Sequence, residues 1–244
     1  MTVLDTASVT SLPEHAYYIP NFITADEEEH ILKQMNSVPL PRWTQLSHRR
    51  LQTWPSALTK LNALLAAPLP EWLHDPIISP RLEQLGCFSD APHKAPNHVL
   101  INEYCAGQGI MPHEDGPAYY PLVATVSLAA PIVLDLYEKK MGRESVGVGA
   151  GQEGMGPKYR VLQEPRSLLI TTGSLYTQYL HGIAETLRDD KLTPESICNW
   201  DLLGDPQNYA TGTYERKTRI SLTYRDVLKV AKLGNSIKFL NRGK

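Results

Sequence analysis

The stretch Arg219-Ile220-Ser221-Leu222-Thr223-Tyr224-Arg225 alternates strictly between polar and apolar side chains. Successive side chains of a β-strand point to opposite faces, so the two arginines and two hydroxyl residues share one face and the three apolar residues share the other. A face with two guanidinium groups beside an apolar core is costly unless it binds something. The alternative is the exposed polar face of an antiparallel sheet, and this strand alone leaves both interpretations open.

Other strand-like stretches fill the same half of the chain. They are separated by turns, are rich in β-branched and aromatic residues, and lie at 97–104, 122–129, 132–137, 167–171 and 218–224. Many short strands at this density predict a β-sandwich or a barrel. Nearer the N-terminus, a short strand at 17–22 precedes Thr24 and Glu27, whose capping-box spacing predicts a helix that ends near Ser37.

The composition suits a single domain without a disulfide scaffold. The chain has 244 residues, 42% of them hydrophobic, which is enough to bury a proper core. Lys and Arg total 24 against 26 Asp and Glu, so the chain as a whole is not a polycation. Three cysteines outside any CxxC spacing argue against a disulfide framework or a zinc ribbon. With no apparent signal peptide or membrane span, we expect a soluble protein of the cytoplasm and nucleus.

Three segments outside the strands have compositions typical of loops. Residues 42–50 contain three arginines and two aromatic rings but no acidic residue, which suits a substrate flap that stacks on bases and holds phosphates. The alternative is an ordinary core tryptophan with solvated arginines. Residues 141–156 contain six glycines and predict a flexible loop, and 189–217 predict a second long insertion.

A candidate metal site combines His113, Asp115 and His181. Residues two apart on an extended segment project to the same side, so His113 and Asp115 can hold one ion together. His181 lies 68 positions later (181 minus 113) and completes the set only if a strand returns beside the first. The alternative for His181 is a hydrogen-bonded histidine at a strand end. Two imidazoles and one carboxylate form the facial triad that binds non-haem Fe(II), and Gly182 is expected to leave room for a ligand.

Taken in order, these motifs resemble the signature of the AlkB family of iron- and 2-oxoglutarate-dependent dioxygenases. The motifs are Asn102-x-Tyr104, His113-x-Asp115, His181-Gly182-Ile183 and Arg219-x-Ser221-x-Thr223-x-Arg225. The resemblance spans residues 17–225, and the stretches 17–23, 43–47, 51–54 and 109–121 are most like one branch of that family. The combination is highly specific, whereas any one motif would be weak.

The resemblance implies a mainly β fold with flanking α-helices, the double-stranded β-helix or jelly roll of the 2-oxoglutarate/Fe(II) oxygenases. We expect one domain over residues 1–244. In it, 17–96 form N-terminal helices and strands with the candidate substrate flap, 97–225 form the jelly-roll core, and 226–244 form a basic C-terminal tail.

The resemblance also implies the cofactors Fe(II), 2-oxoglutarate and O2. The expected iron ligands, which are also the catalytic centre, are His113, Asp115 and His181. The expected 2-oxoglutarate-binding residues are Asn102, Tyr104, Arg219, Ser221, Thr223 and Arg225. Within that set, Arg219 is expected to pair with the far carboxylate, and Arg225 to contact the end near the metal.

The expected reaction is oxidative demethylation of N-methylated nucleobases in single-stranded RNA or DNA by a monomer that contacts no membrane. Flipping a base requires a stacking ring and a basic channel. The candidate substrate residues are Trp43, Arg49, Arg50, Tyr119 and Tyr120.

One departure from the family keeps other functions open. Repair members of the family carry an acidic residue shortly after the iron aspartate, whereas this chain has Gly116-Pro117. A second hypothesis is therefore an oxygenase of the same mechanism that acts on a protein or a small molecule. A third is a catalytically silent nucleic-acid-binding member.

Overall fold

The computed structural model describes residues 2–13, 15–139 and 156–231. The predicted flexible loop at 141–156 lies outside the described residues except for Gly156, and so does residue 232 onward of the predicted basic tail. The strands are β1 (Ala16–Ile19), β2 (Thr44–Leu46), β3 (Arg49–Trp54), β4 (Leu64–Leu65), β5 (His98–Tyr104), β6 (Ile110–His113), β7 (Leu122–Leu128), β8 (Ile132–Glu138), β9 (Tyr159–Gln163), β10 (Leu168–Thr172), β11 (Tyr179–Ile183), β12 (Arg188–Asp190), β13 (Thr213–Glu215), β14 (Arg219–Arg225) and β15 (Val230–Ala231). The α-helices are α1 (Val3–Thr6), α2 (Ala25–Ser37), α3 (Glu71–His74), α4 (Glu83–Leu85) and α5 (Gly173–Gln178). Short 3-10 or π-helical turns occupy Leu40–Arg42, Ile77–Leu82, Trp200–Leu202 and Pro206–Tyr209.

Two antiparallel sheets form the body of the fold, which confirms the predicted jelly-roll class. The larger sheet has the strand order β1-β10-β7-β14-β5-β3-β2, and the smaller has the order β6-β11-β8-β9. Neighbouring strands are mostly distant in sequence, as expected for strands that alternate between two sheets. Side chains from both sheets line one cavity, so the cavity lies between them.

The larger sheet is covered by helices on its other face. Thr24 caps α2 as predicted, because its side chain accepts a hydrogen bond from the Glu27 amide at 3.2 Å while the Glu27 carboxylate accepts one from the Thr24 amide at 2.8 Å. The apolar side of α2, including Ile31 and Met35, is buried in the same cluster as the apolar face of β14. Burial of this kind supplies most of the stability of an amphipathic helix.

Two segments differ from their predictions. The 189–217 insertion is a packed unit and not a free loop, because β12 pairs with β13 and the carboxylate of Asp189 binds the buried guanidinium of Arg216 at 2.7 and 2.8 Å. The predicted tail begins inside the fold, because β15 pairs in parallel with β4. Strands of only two or three residues are too short to show a clear alternating pattern in the sequence.

The candidate flap at 42–50 forms a hairpin at one side of the larger sheet. In this hairpin β2 pairs with β3, and β3 pairs with β5, the strand that carries Asn102 and Tyr104. In the part of the chain that the structure describes, no helix is long and apolar enough to cross a membrane.

Candidate active site

The three candidate metal ligands converge at one end of the cavity. Strand β11 returns antiparallel to β6 and places His181 directly opposite His113, with ring centroids 4.4 Å apart. Asp115 follows two residues after His113, and its Oδ1 lies 3.9 Å from Nε2 of His181. One donor atom from each residue lies within 4.8 Å of the others, and within the described residues no further group of this kind was found. The required returning strand is therefore present.

Neighbouring groups orient these ligands. Nδ1 of His113 lies 2.9 Å from the carbonyl oxygen of Met111, and a proton donated there leaves Nε2 as the free lone pair. Arg225 Nη2 donates to Asp115 Oδ1 at 2.6 Å, which leaves Oδ2 for a cation. Burial lowers the pKa of His113, and it lowers that of His181 to about 4. Both imidazoles are then neutral near pH 7, the form that binds metals.

Gly182 has a different role from the predicted one. A Cβ atom at this position would lie 3.0 Å from the Pro112 amide nitrogen and 3.1 Å from the Ile110 carbonyl oxygen. Both atoms belong to the backbone of β6. The missing side chain therefore lets the two ligand-bearing strands approach each other, and it does not make room for a ligand.

The polar face of β14 forms the floor of the cavity. Arg219, Ser221, Thr223 and Arg225 all line it, while the apolar residues of the same strand lie in the core on the other side. The register pairs Arg219 with Tyr104 and Ser221 with Asn102 on β5. The cavity has a volume of about 270 Å³. The structure therefore brings together all six predicted 2-oxoglutarate residues and the three metal ligands.

Arg219 is a buried cation without a carboxylate partner among the described residues. Its exposed fraction is 3%, and burial lowers its pKa to about 10. Nη2 donates to Ser127 Oγ at 2.8 Å and to Gln163 Oε1 at 2.9 Å, whereas Nε is buried with no hydrogen-bond partner in the described part of the chain. An unmet guanidinium edge of this kind fits a carboxylate. The donor set at the opposite end fits Fe(II), so the residues present suit both groups.

The predicted substrate residues are only partly at this site. Arg49 lines the cavity, and its Nε donates to Asn102 Oδ1 at 3.2 Å. Arg50 points to the opposite face of the sheet because it is the next residue along β3. There it binds Glu103 with two hydrogen bonds of 2.7 Å and lies 4.0 Å from the ring of Trp43. Trp43 itself packs against the main core. Trp43 and Arg50 therefore do not line the cavity, and a contact of either with a substrate stays a prediction.

The two predicted tyrosines also differ. The ring of Tyr119 lies 4.8 Å from the guanidinium of Arg225, next to the metal end of the cavity. Tyr120 packs against the main core and does not line the cavity, so its predicted role is not supported.

The sequence reasoning missed two polar residues of the cavity. Gln163 lies at the end of β9 and accepts a hydrogen bond from Arg219, and Tyr176 lies on α5 at the metal end. The hydroxyl of Tyr176 donates to the carbonyl oxygen of Gly116 at 3.1 Å, directly after the candidate ligand Asp115. In the sequence, the position of Tyr176 five residues before the candidate ligand His181 is the signal that could have indicated a place near the metal.

Comparisons with known proteins agree with this geometry. Residues 15–225 match the family described as the 2OG-Fe(II) oxygenase superfamily. The chain is 39% identical over 222 residues to a zebrafish (Danio rerio) protein named "Probable RNA/DNA demethylase ALKBH6", and the match covers 91% of this chain and 89% of that protein. It is 26% identical over 216 residues to an uncharacterized protein of Acanthamoeba polyphaga mimivirus, with coverage of 86% and 84%. The zebrafish name is that of AlkB homologue six, the branch whose motifs the sequence most resembles.

A solved structure agrees at the level of the fold. The structure of OsALKBH1 superposes with a TM-score of 0.52 at 14% identity, covering 88% of this chain and 99% of that one.

Proposed function

Because the chain belongs to the 2OG-Fe(II) oxygenase superfamily and, within it, to the AlkB family, we propose that it oxidatively demethylates N-methylated nucleobases of single-stranded RNA or DNA. The enzyme is a dioxygenase that uses Fe(II), 2-oxoglutarate and O2. The observation that carries the proposal is the cavity between the sheets, which has an iron-type donor set at one end and the unmatched guanidinium of Arg219 on its floor. The name of the zebrafish relative supports a nucleic-acid substrate.

His113, Asp115 and His181 would hold the iron. Iron with bound 2-oxoglutarate supplies the oxidising power, since it couples O2 to the conversion of 2-oxoglutarate into succinate and CO2. The hydrogen bond from Arg225 fixes the carboxylate of Asp115, so that the ligand needs little rearrangement when the metal binds. The contact of His113 with the Met111 carbonyl oxygen fixes its ring in the same way.

The guanidinium of Arg219 would bind the far carboxylate of 2-oxoglutarate. A carboxylate at its Nε edge satisfies a donor that is otherwise buried and unpaired in the described structure. Ser221 and Tyr104 flank this position, whereas Asn102, Thr223 and Arg225 lie further toward the metal. Apolar side chains, among them Leu134, Leu136 and Leu169, line the remaining wall and exclude water from the reacting groups.

In the overall reaction, one oxygen atom of O2 enters succinate and the other enters the oxidised methyl group. A substrate N-methyl group, 2-oxoglutarate and O2 give an N-hydroxymethyl group, succinate and CO2. The N-hydroxymethyl group then loses formaldehyde and leaves the base with an N–H. The protein's own contribution is to orient the methyl group and the cosubstrate and to keep solvent away.

Gly116 and Pro117 favour a second candidate, an oxygenase of the same mechanism that acts on a protein or a small molecule. Neither side chain has an acceptor for the edge of a base. The half-buried cation Arg49 at the cavity supports the nucleic-acid candidate instead. We propose that the chain forms one oxygenase domain. Its monomeric state and its location in the cytoplasm and nucleus stay predictions.

The test is the yield of succinate and formaldehyde, measured by mass spectrometry with Fe(II), 2-oxoglutarate, O2 and a panel of methylated single-stranded RNA and DNA. Asp115→Ala serves as the blank, and Asp201→Ala, an exposed aspartate far along the chain, is the matched control. We expect formaldehyde that scales with one oligonucleotide and vanishes only in Asp115→Ala. Succinate without formaldehyde across the panel would transfer support to the second candidate.

A further inference from the structure

Three titratable side chains that line the cavity in the described structure remain after the iron and 2-oxoglutarate residues are assigned. They are Arg49 on β3, Glu114 between the two ligands of the first motif, and Tyr176 on α5. In the larger sheet, β3 and β10 are separated by β5, β14 and β7, and α5 directly follows β10. Arg49 and Tyr176 therefore reach the cavity from opposite sides.

Arg49 brings a positive charge to this site that no carboxylate of the described residues neutralises. Its hydrogen-bond partner is the neutral side-chain oxygen of Asn102. Because Asn102 lies on the metal side of Tyr104 and Arg49 lines the same cavity as His113, this hydrogen bond holds the guanidinium toward the metal end. Arg50, the neighbour on the other face, differs because it is fully paired with Glu103.

The carboxylates near the metal end are already engaged. Asp115 is bound by Arg225 at 2.6 Å and is a candidate metal ligand. Glu114 pairs with Lys139, and its side chain is 56% exposed and turned toward solvent. Gly116 and Pro117 contribute no charge. Within the described residues, the cavity therefore offers an incoming substrate no unpaired negative charge.

The balance of charge next to the substrate is positive. Arg225 offsets Asp115, and Lys139 offsets Glu114. When bound, Fe(II) and the dianion of 2-oxoglutarate would offset each other. Arg219 and Arg49 remain, and of these two Arg49 is the one held toward the metal end by its hydrogen bond to Asn102. A cationic group brought into a partly desolvated site beside a like charge is disfavoured by about ten-fold or more.

Tyr176 provides the flat surface that a nucleobase needs. Its ring lines the cavity, and its hydroxyl donates to the Gly116 carbonyl oxygen at 3.1 Å, which fixes the ring beside Asp115. Stacking on an aromatic ring tolerates every base. Discrimination between charged and uncharged bases therefore falls to Arg49.

We infer that the site selects an uncharged methylated nucleobase over a cationic one, with Tyr176 as the stacking surface and Arg49 as the residue that determines charge selectivity. This inference rests on the proposed demethylase function and names its substrate class. An exocyclic N-methyl base such as N6-methyladenine is uncharged, whereas a ring-methylated base such as 1-methyladenine is a cation near pH 7. The guanidinium of Arg49 can also donate to the acceptor atoms of an uncharged base.

The test uses single-stranded RNA and DNA oligonucleotides of one sequence that carry either N6-methyladenine or 1-methyladenine at one position. Formaldehyde formation gives kcat/KM for each base, and fluorescence anisotropy with metal-free protein gives each Kd. We expect the uncharged base to be favoured by about ten-fold or more in both measurements. Arg49→Gln should bring the ratio close to one, and Arg49→Glu should invert it.

Arg42→Gln is the matched control, because Arg42 lies in the same basic segment but stacks on Trp54 and does not line the cavity. It removes one positive charge from the same segment but not from the cavity, and it should leave the ratio unchanged. Tyr176→Ala should raise KM for both bases, and Tyr176→Phe should restore most of the stacking. Circular dichroism and 2-oxoglutarate binding verify that each variant is folded.

The possible outcomes distinguish a failure of the charge-selection inference from a failure of the proposed demethylase function. Equal handling of both bases, or preference for the cation, overturns charge selection while demethylation stands. A ratio that survives Arg49→Gln overturns the role of Arg49. Formaldehyde from neither of these two bases, with succinate still formed, overturns the inference. Formaldehyde from no base of the wider methylated panel overturns the proposed function as well.

Discussion

Replacing Arg219 by methionine should make the ligand-free protein more stable while removing its response to 2-oxoglutarate. Burial lowers the pKa of Arg219 from 12.5 to about 10, which means that the folded state holds the charged guanidinium at a cost. Each pKa unit corresponds to about 1.4 kcal/mol, so this cost is about 3 kcal/mol near pH 7. Methionine has a similar length and carries no charge.

The hydrogen bonds lost with Arg219 offset only part of that gain. Ser127 Oγ and Gln163 Oε1 accept from Arg219, but they are also bonded to each other at 3.0 Å and remain paired in the variant. The lost bonds are worth about 1 kcal/mol. We therefore expect Arg219→Met to raise the free energy of unfolding by about 2 kcal/mol.

The assay is urea unfolding followed by circular dichroism, without metal and without 2-oxoglutarate. Arg216→Met is the matched control, since Arg216 is also buried but its guanidinium binds the carboxylate of Asp189. Removing it leaves a buried carboxylate unpaired, so that variant should lose about 3 to 5 kcal/mol. The two substitutions should thus act with opposite sign.

The second half of the assay adds manganese(II), which does not support turnover, and 2-oxoglutarate. Wild type at a ligand concentration about 100 times Kd should gain about 2.7 kcal/mol, and Arg219→Met should gain little. The reasoning is refuted if Arg219→Met is less stable than wild type in the ligand-free state. It is also refuted if the variant keeps the full gain with 2-oxoglutarate.

Two further predictions concern the ligand strands and a buried histidine. Gly182→Ala should weaken metal binding by about ten-fold or more and lower stability by about 1 to 3 kcal/mol, because its Cβ would press on the backbone of β6 near Pro112. Calorimetric titration with cobalt(II) measures the metal affinity. Gly156→Ala is the control, because a Cβ atom there meets open space. An equal loss of affinity in Gly156→Ala would contradict the prediction. His98 is 2% exposed, and burial lowers its pKa to about 4, so the unfolded state binds a proton more readily between about pH 6.5 and 4. The free energy of unfolding should therefore fall by about 2 kcal/mol between pH 7 and pH 5, and His98→Phe should lose this part of the pH dependence in urea titrations. An unchanged pH dependence in the variant would show that His98 does not carry it.

Sequence reasoning predicted most of the cavity because the relevant signals are periodic. Alternation along Arg219–Arg225 placed two arginines and two hydroxyls on one face, and the structure has all four in the cavity. The spacing of His113 and Asp115 predicted a shared ion, and the returning strand with His181 is present.

The errors come from features that depend on long-range contacts. The composition of 42–50 does not distinguish Arg49 from Arg50, whereas in β3 these successive residues face opposite sides of the sheet. Gln163 carries no motif, because its position at Arg219 depends on how β9 joins the smaller sheet. Gly182 illustrates the same limit, since its neighbours on β6 are about 70 residues away in sequence.

Strand β1 covers the backbone edge of β10 at the end of the larger sheet. It pairs along the whole of Ala16–Ile19 with β10, whose Leu168, Leu169 and Ile170 are almost fully buried. A chain shortened to begin after residue 19 would leave those backbone groups open to pair with a second molecule. Such a protein would keep every candidate metal and 2-oxoglutarate residue, all of which lie between 102 and 225, and should nevertheless self-associate.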